Sequence, residues 1–206
     1  MKDFEFSFPT RVIFGRDAEG RAGELAAPFG PNVMLLYGSD RIRRSGLLDQ
    51  LTADLEAHGL TVTLFGGIQE NPLLSKAEEG RRLAREKKIT LLLAVGGGSV
   101  IDTAKAVSLG AKSTAPLWDI YSGKGKAQKA LPIGVVLTTA ATASEANSVS
   151  VLCHDELHLK VALEEPLTRP RFALMDPALT FSLPPRQTAS CGVDIFSHAF
   201  ERYFHK

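Results

Sequence analysis

Three short segments combine residue types and spacings that can carry chemistry. Gly96-Gly97-Gly98-Ser99-Val100-Ile101-Asp102 joins an apolar run to an alanine-rich one. Glycines let a backbone approach a diphosphate, and a helix N-terminus offers free N–H donors and the positive end of its dipole. Ser99 adds a hydroxyl donor or a cap, and Asp102 falls in the first helical turn. The plainer reading is a tight strand-to-helix turn whose glycines serve geometry alone, although three in succession exceed what a turn requires. The segment is not the GxGxxG fingerprint, so an ordinary Rossmann dehydrogenase is not implied. Thr138-Thr139-Ala140-Ala141-Thr142-Ala143-Ser144-Glu145 is a dense hydroxyl cluster among small residues, suited to close approach of a nucleotide and equally to capping its own loop. Asp194-Ile-Phe-Ser-His198 places a carboxylate and an imidazole one helical turn apart, able to grip one cation. The same spacing also makes an Asp–His pair or a packed histidine, and two ligands do not complete a metal site.

The other polar residues carry weaker signals. His205 lies two turns beyond His198 and reads as a solvated histidine rather than a third ligand. His58, His154 and His158 show no ligand spacing, and His58 beside Gly59 is placed to serve a helix C-terminus. Arg41, Arg43 and Arg44 form a basic run, ordinarily a solvated face, that here follows the second strand-end loop, where a cofactor ribose is expected. Cys153 and Cys191 make neither a disulfide framework nor a CxxC pair.

The elements that must position these segments alternate between β-rich and helical runs. Strands are predicted at Asn32–Tyr37, Thr61–Phe65, Ile89–Val95, Leu131–Leu137 and Phe172–Met175, with Asn32–Tyr37 and Leu131–Leu137 reading as buried strands and Ile89–Val95 as the most strongly apolar. Phe4–Ser7 and Arg11–Phe14 read as a two-stranded ribbon around Pro9, and Val149–Cys153 with Leu159–Leu163 as a hairpin. Leu47, Leu48, Leu51, Leu55 and Leu60 follow helical spacing with Gly59 as the stop, and Ser75 with Glu78 is a capping-box signature for a helix through Arg85. Ile101–Leu109 and Arg186–Lys206 read as further helices. Strand–helix alternation with short connections predicts a parallel sheet covered on both faces, with ligands outside the strands' carboxyl ends, at Gly38, Gly66, Gly96 and Thr138. Leu183-Pro184-Pro185 marks a boundary, which gives an α/β domain over 1–183 and the start of a helical region over 184–206.

Bulk properties narrow the function class. Of 206 residues, 44% are hydrophobic and 23% charged, ordinary for a globular chain able to bury a core. A net charge of +1 gives no electrostatic reason to expect nucleic acid or an anionic membrane as partner. No apolar run approaches the roughly 20 residues of a membrane span. The start, Met1-Lys2-Asp3-Phe4-Glu5, has no apolar segment behind it, so the expected setting is reducing and cytoplasmic.

Taken together, the motifs resemble the iron-containing (group III) alcohol dehydrogenase family. The resemblance runs through Asn71-Pro72, GGGSxxD at Gly96–Asp102, TTxxTxSE at Thr138–Glu145, Asp176-Pro177, Leu183-Pro184 and DxxxH at Asp194 and His198. Phe-Gly-Gly-Ile-Gln-Glu-Asn-Pro and Leu-Pro-Pro-Arg-Gln are similar to the butanol dehydrogenase and NADPH-dependent aldehyde reductase branch. The resemblance implies a dehydroquinate synthase-like fold: a Rossmann-like nucleotide-binding α/β domain, followed by an all-helical domain of which this sequence holds the first helix. It implies hydride transfer between NAD(P)H and a small alcohol or aldehyde, with a divalent metal, Fe²⁺ or Zn²⁺. Gly38, Ser39, Asn71, Gly97, Gly98, Ser99, Asp102, Thr138, Thr139, Thr142 and Lys160 would bind the cofactor. Asp194 and His198 would be the first two metal ligands. Ser39 stands where NAD-preferring members carry an Asp, and with Arg43 or Arg44 it suits a 2′-phosphate, so NADP(H) is expected over NAD(H). Association as a homodimer through the N-terminal ribbon is also implied. Members extend through further helices that supply two more histidine ligands, so the expectation is a fragment of a longer enzyme. A non-catalytic nucleotide-binding or dimerisation module and a glycerol dehydrogenase-like enzyme are the alternatives.

Overall fold

The computed structural model describes residues 7–38 and 40–204. In chain order its elements are β1 (Arg11–Phe14), α1 (Ala22–Ala26), β2 (Asn32–Tyr37), α2 (Asp40–Arg44), α3 (Leu47–Ala57), β3 (Thr61–Phe65), α4 (Leu74–Glu86), β4 (Leu91–Gly96), α5 (Gly98–Lys112), α6 (Leu117–Tyr121), β5 (Ile133–Leu137), β6 (Val149–His154), β7 (Leu159–Glu164), β8 (Phe172–Met175) and α7 (Pro185–Phe204). Six strands form one sheet in the order β1-β8-β5-β4-β2-β3, with every adjacent pair parallel. β6 and β7 form a separate antiparallel hairpin.

The central strands are apolar at nearly every position, Asn32 at the start of β2 being the exception, because helices cover both faces of the sheet. Their side chains alternate between two cores. Val33, Leu35, Leu91, Leu93 and Val95 meet Leu25 of α1 and Leu48, Leu51 and Leu55 of α3. Met34, Leu36, Leu92 and Ala94 meet Ala84 of α4 and Ile101, Ala104 and Val107 of α5. The chain therefore leaves neighbouring β2 and β4 toward opposite faces, α3 on one side and α5 on the other. A crevice opens at such a reversal, outside the carboxyl ends of the two strands. A third, smaller core of Ala77, Ala106, Leu109, Leu117, Tyr121 and Leu152 seats the hairpin and α6 behind α5.

Several local signals act as the sequence predicts. α3 ends in a Schellman motif: Leu60 N–H donates to Leu55 C=O and Gly59 N–H to Glu56 C=O, with Gly59 at φ 76°. His58 Nδ1 lies 2.8 Å from Asp54 C=O, in the structural place expected of it. Other expectations are corrected. Arg11–Phe14 joins the main sheet parallel to β8; the Phe4–Phe6 part of the predicted ribbon lies outside the described residues, and Ser7 is in no strand. The capping box at Ser75 does not form. α4 begins one residue earlier, and the Asp155 carboxylate from the β6–β7 turn accepts from Ser75 N–H at 2.9 Å and from Ser75 Oγ at 2.8 Å. Glu78 instead pairs with Arg81 and accepts from Leu117 N–H. The helix α6, opened by Pro116, was not marked by any periodicity.

Candidate functional site

The crevice at the carboxyl ends of β2 and β4 is a groove of about 500 Å³. Gly38 ends β2 and forms one wall. Gly97, Gly98 and Ser99 form the opposite wall at the start of α5, Asn71 and Thr139 extend it, and Gln187 from the first turn of α7 closes one side. In α5 the first backbone bonds run from Val100 and Ile101 N–H to Gly97 C=O. The N–H groups of Gly98 and Ser99 precede them, as the first donors of a helix do. A fifteen-residue helix thus presents its positive end to the groove.

The run of glycines has a packing cause. A Cβ on Gly96 would lie 2.6 Å from Val100 Cγ2, one on Gly97 3.1 Å from Thr139 Cβ, and one on Gly98 2.9 Å from Thr142 Oγ1. None of the three has a positive φ. At Gly97 and Gly98 the missing Cβ atoms let the hydroxyl loop after β5 lie directly on the turn after β4, and at Gly96 the missing Cβ makes room for Val100 of α5. The two motifs, separated by about forty residues of sequence, form one surface.

The anticipated cofactor residues fall into four positions. Gly38, Asn71, Gly97, Gly98, Ser99 and Thr139 share the groove. Thr142 touches it through Gly98, and Lys160 reaches its rim from β7, with Nζ 3.0 Å from Asn71 Oδ1. Asn71 holds φ 57°, a left-handed conformation that asparagine tolerates better than most residues. Thr138 points into a neighbouring pocket with Arg41, Ile42 and Leu179. Asp102 turns away from the groove: its oxygens accept from Ser144 Oγ at 2.7 Å and from Val151 N–H at 3.0 Å. Burial raises its pKa, and these two bonds partly offset the rise. Ser39 and His205 lie outside the described residues.

Asp194 and His198 sit on α7, exposed, with Nε2 3.8 Å from Oδ1. Two atoms each bonded to a metal at about 2.1 Å are at most about 4.2 Å apart, so this pair fits one divalent ion. The donor set, one carboxylate and one imidazole, suits Fe²⁺ and Zn²⁺ alike.

The sequence motifs miss Lys105. Its side chain is fully buried behind the hydroxyl loop, and Nζ donates to Ser144 Oγ at 2.8 Å, Asn147 Oδ1 at 2.9 Å and Val149 C=O at 2.7 Å. Its signal in the sequence is a lysine between two alanines on the buried side of an alanine-rich helix.

The sequence model of the iron-containing alcohol dehydrogenase family matches residues 9–177. The chain belongs to the iron-containing alcohol dehydrogenase family. Among its relatives, the probable NADH-dependent butanol dehydrogenase 1 of Bacillus subtilis is 45% identical over 205 residues, which cover 100% of this chain and 53% of the relative. The NADPH-dependent aldehyde reductase YqhD of Escherichia coli is 39% identical, across 100% of this chain and 53% of that protein. The crystal structure of NADH-dependent butanol dehydrogenase A from Thermotoga maritima superposes with a TM-score of 0.95 at 38% identity, covering 99% of this chain and 52% of that one. These are the butanol dehydrogenase and aldehyde reductase relatives that the motifs implied, and the Rossmann-like α/β fold is shared with them. The chain spans about half the length of the relatives it matches. The relatives carry the names of NADH- and NADPH-dependent dehydrogenases and reductases, and the family is named for a bound iron. No described helix is long and apolar enough to cross a membrane.

Proposed function

We propose that this chain is the nucleotide-binding part of a metal-dependent alcohol dehydrogenase or aldehyde reductase acting between NAD(P)H and a small alcohol or aldehyde. The observation that carries this reading is the groove itself, with the N-terminus of α5, three glycines and a hydroxyl loop converging at the reversal between β2 and β4. Gly38, Ser39, Asn71, Gly97, Gly98, Ser99, Asp102, Thr138, Thr139, Thr142 and Lys160 make up the cofactor region. Within it, the N–H groups of Gly98 and Ser99 and the Ser99 hydroxyl hold the diphosphate, and Asn71 and Lys160 fix the rim. Asp102 contributes from behind the loop. When bound, a nicotinamide would supply hydride chemistry and a divalent ion a Lewis acid for the substrate oxygen. Asp194 and His198 would hold that ion from α7. This chain's residues contribute binding and orientation, and none of them is assigned as a general base.

The unit that binds the nucleotide extends over 1–183, and 184–206 opens a helical metal-binding domain. The support for this split is α7, exposed along nearly its whole length, with Phe196, Phe200 and Phe204 in ring contact on one exposed stripe. A second copy of the chain is the proposed partner, pairing along β1, an edge strand with Val12 and Phe14 exposed. The preference for NADP(H) rests on Ser39 following Gly38 and on Arg43 and Arg44 in the next turn. The relatives at 45% and 44% identity are named NADH-dependent, so this preference stands on the chain's own residues.

Fluorescence titration with NADPH and NADH, followed by butyraldehyde-dependent NADPH oxidation with added Fe²⁺ or Zn²⁺, tests the reading. Saturable binding of both nucleotides, tighter for NADPH, is expected. Absence of any nucleotide binding overturns the function, and clearly tighter NADH binding overturns the cofactor preference alone. Binding without turnover under any metal marks the chain as a binding module.

A further inference from the structure

The nucleotide groove depends on how the loop 138–147 lies against the glycine turn, and the anchor of that loop is not in the groove. We propose that Lys105 is a positioning residue for nucleotide binding, holding the hydroxyl loop against Gly97 and Gly98 from behind. This rests on the proposed function of the groove. Lys105 lies one turn after Asp102 on α5, fully buried. Its three acceptors come from the loop and the strand that follows it: Ser144 Oγ, Asn147 Oδ1 and Val149 C=O. Ser144 Oγ, having accepted from Lys105, donates to Asp102 Oδ1, so ammonium and carboxylate are joined through one serine. Asn147, having accepted from Lys105, donates from Nδ2 to Thr142 C=O at 3.3 Å. Thr142 in turn meets Gly98, and Thr139 meets Gly97. A continuous chain of bonds and contacts therefore leads from Nζ to the groove wall.

The donor count decides the state of the lysine. An ammonium has three N–H donors for three acceptors, whereas the neutral amine has two and turns a lone pair toward the third. An unmet acceptor in a buried network is costly, and the loop is the part free to shift. Burial brings the Lys105 pKa down to about 8, against the attraction of Asp102 and Glu145 and with the repulsion of Arg169. Tyr121, on α6 against the same network, is pushed far up by burial and keeps its proton. The anchor thus holds at neutral pH and loses one donor above about pH 8.

The test is the dissociation constant of NADH for the 206-residue chain from pH 7 to 9.5, in the wild type, Lys105→Met and Asn147→Ala. In the wild type it should rise about tenfold across this window. Lys105→Met should bind about tenfold more weakly at pH 7 and show a flat profile. Asn147→Ala, which removes one acceptor of Lys105, the acceptor of Val149 N–H and the link to Thr142 but leaves the Ser144 and Val149 C=O bonds to Lys105, should fall between them. A purely structural lysine would alter the melting temperature of Lys105→Met and leave its affinity at pH 7 that of the wild type; that result overturns the proposal. If Lys105→Met does not fold, a flat wild-type profile, or wild-type affinity in Asn147→Ala, overturns it equally. A wild type that binds no NADH at any pH removes the proposed function itself, and this inference with it.

Discussion

Gly98 shows how one missing carbon joins two motifs. Its absent Cβ is the space that Thr142 Oγ1 occupies, at 2.9 Å from the ideal position. Gly98→Ala should push Thr142 outward and weaken nucleotide binding about tenfold, the loss of one well-made contact. Gly98→Ala with Thr142→Ala should recover part of that loss, because the obstacle goes with the hydroxyl. A double-mutant cycle of nucleotide affinities checks this, and strict additivity would show that the two residues are not coupled. Glu19 makes a second prediction at this scale. Asp17, Glu19 and Asp176 bring three carboxylates within 4.8 Å, and no ion pair among the described residues reaches them. Glu19 Oε2 is buried without a hydrogen-bond partner. Burial, then the charges of Asp176 and Asp17, raise the Glu19 pKa above its ordinary 4.5. The folded state therefore holds this proton more tightly than the unfolded chain, and stability falls as pH rises from about 4.5 through the raised value. Glu19→Gln should stabilise the protein by about 1 kcal/mol at pH 7, with the gain vanishing toward pH 4. Thermal melts at both pH values measure it.

At the scale of elements, the same strand–helix alternation that predicts a parallel sheet also places the crevice. Apolar continuity in Asn32–Tyr37 and Leu91–Val95 requires cover on both faces, and the cover comes from α3 on one side and α5 on the other. The starts of helices were less legible, because the partners that stabilise them are distant in sequence. Ser75 and Glu78 carry a capping-box pattern, yet the cap is Asp155, eighty residues on, in the hairpin turn. Asp155→Ala should therefore destabilise the protein by about 1 kcal/mol. Ser75→Ala, which leaves the bond from its own N–H to Asp155, should cost less. Equal losses in chemical denaturation would restore the local capping box. The hairpin was readable from its alternation, but its task was not. It delivers Asp155 to α4, Val149 C=O to Lys105 and Lys160 to Asn71. Asp102 is the clearest case of a motif residue whose direction was hidden, since only the fold shows that its carboxylate faces Ser144 and Val151.

For the whole molecule, the proposed nucleotide groove and the proposed metal pair sit on different supports. Gly38, Gly97, Gly98 and Ser99 are fixed by the sheet and by α5, whereas Asp194 and His198 project from exposed α7. Among the described residues, the one α7 residue that lines the groove is Gln187, in the first turn and two turns before Asp194. Groove and metal pair should therefore be separable in the isolated chain. His198→Ala should abolish uptake of Zn²⁺ or Fe²⁺ at the pair and leave the NADH dissociation constant within about twofold of the wild type, a difference below 0.5 kcal/mol. Stripping metal with a chelator should do the same. Gln187→Ala, by contrast, should weaken NADH measurably while leaving metal uptake intact. Calorimetric titration of each variant with NADH and with Zn²⁺ distinguishes the two sites. A metal-dependent NADH affinity in this chain would mean that α7 and the sheet bind as one body, with the pair already drawn against the groove by contacts beyond Gln187.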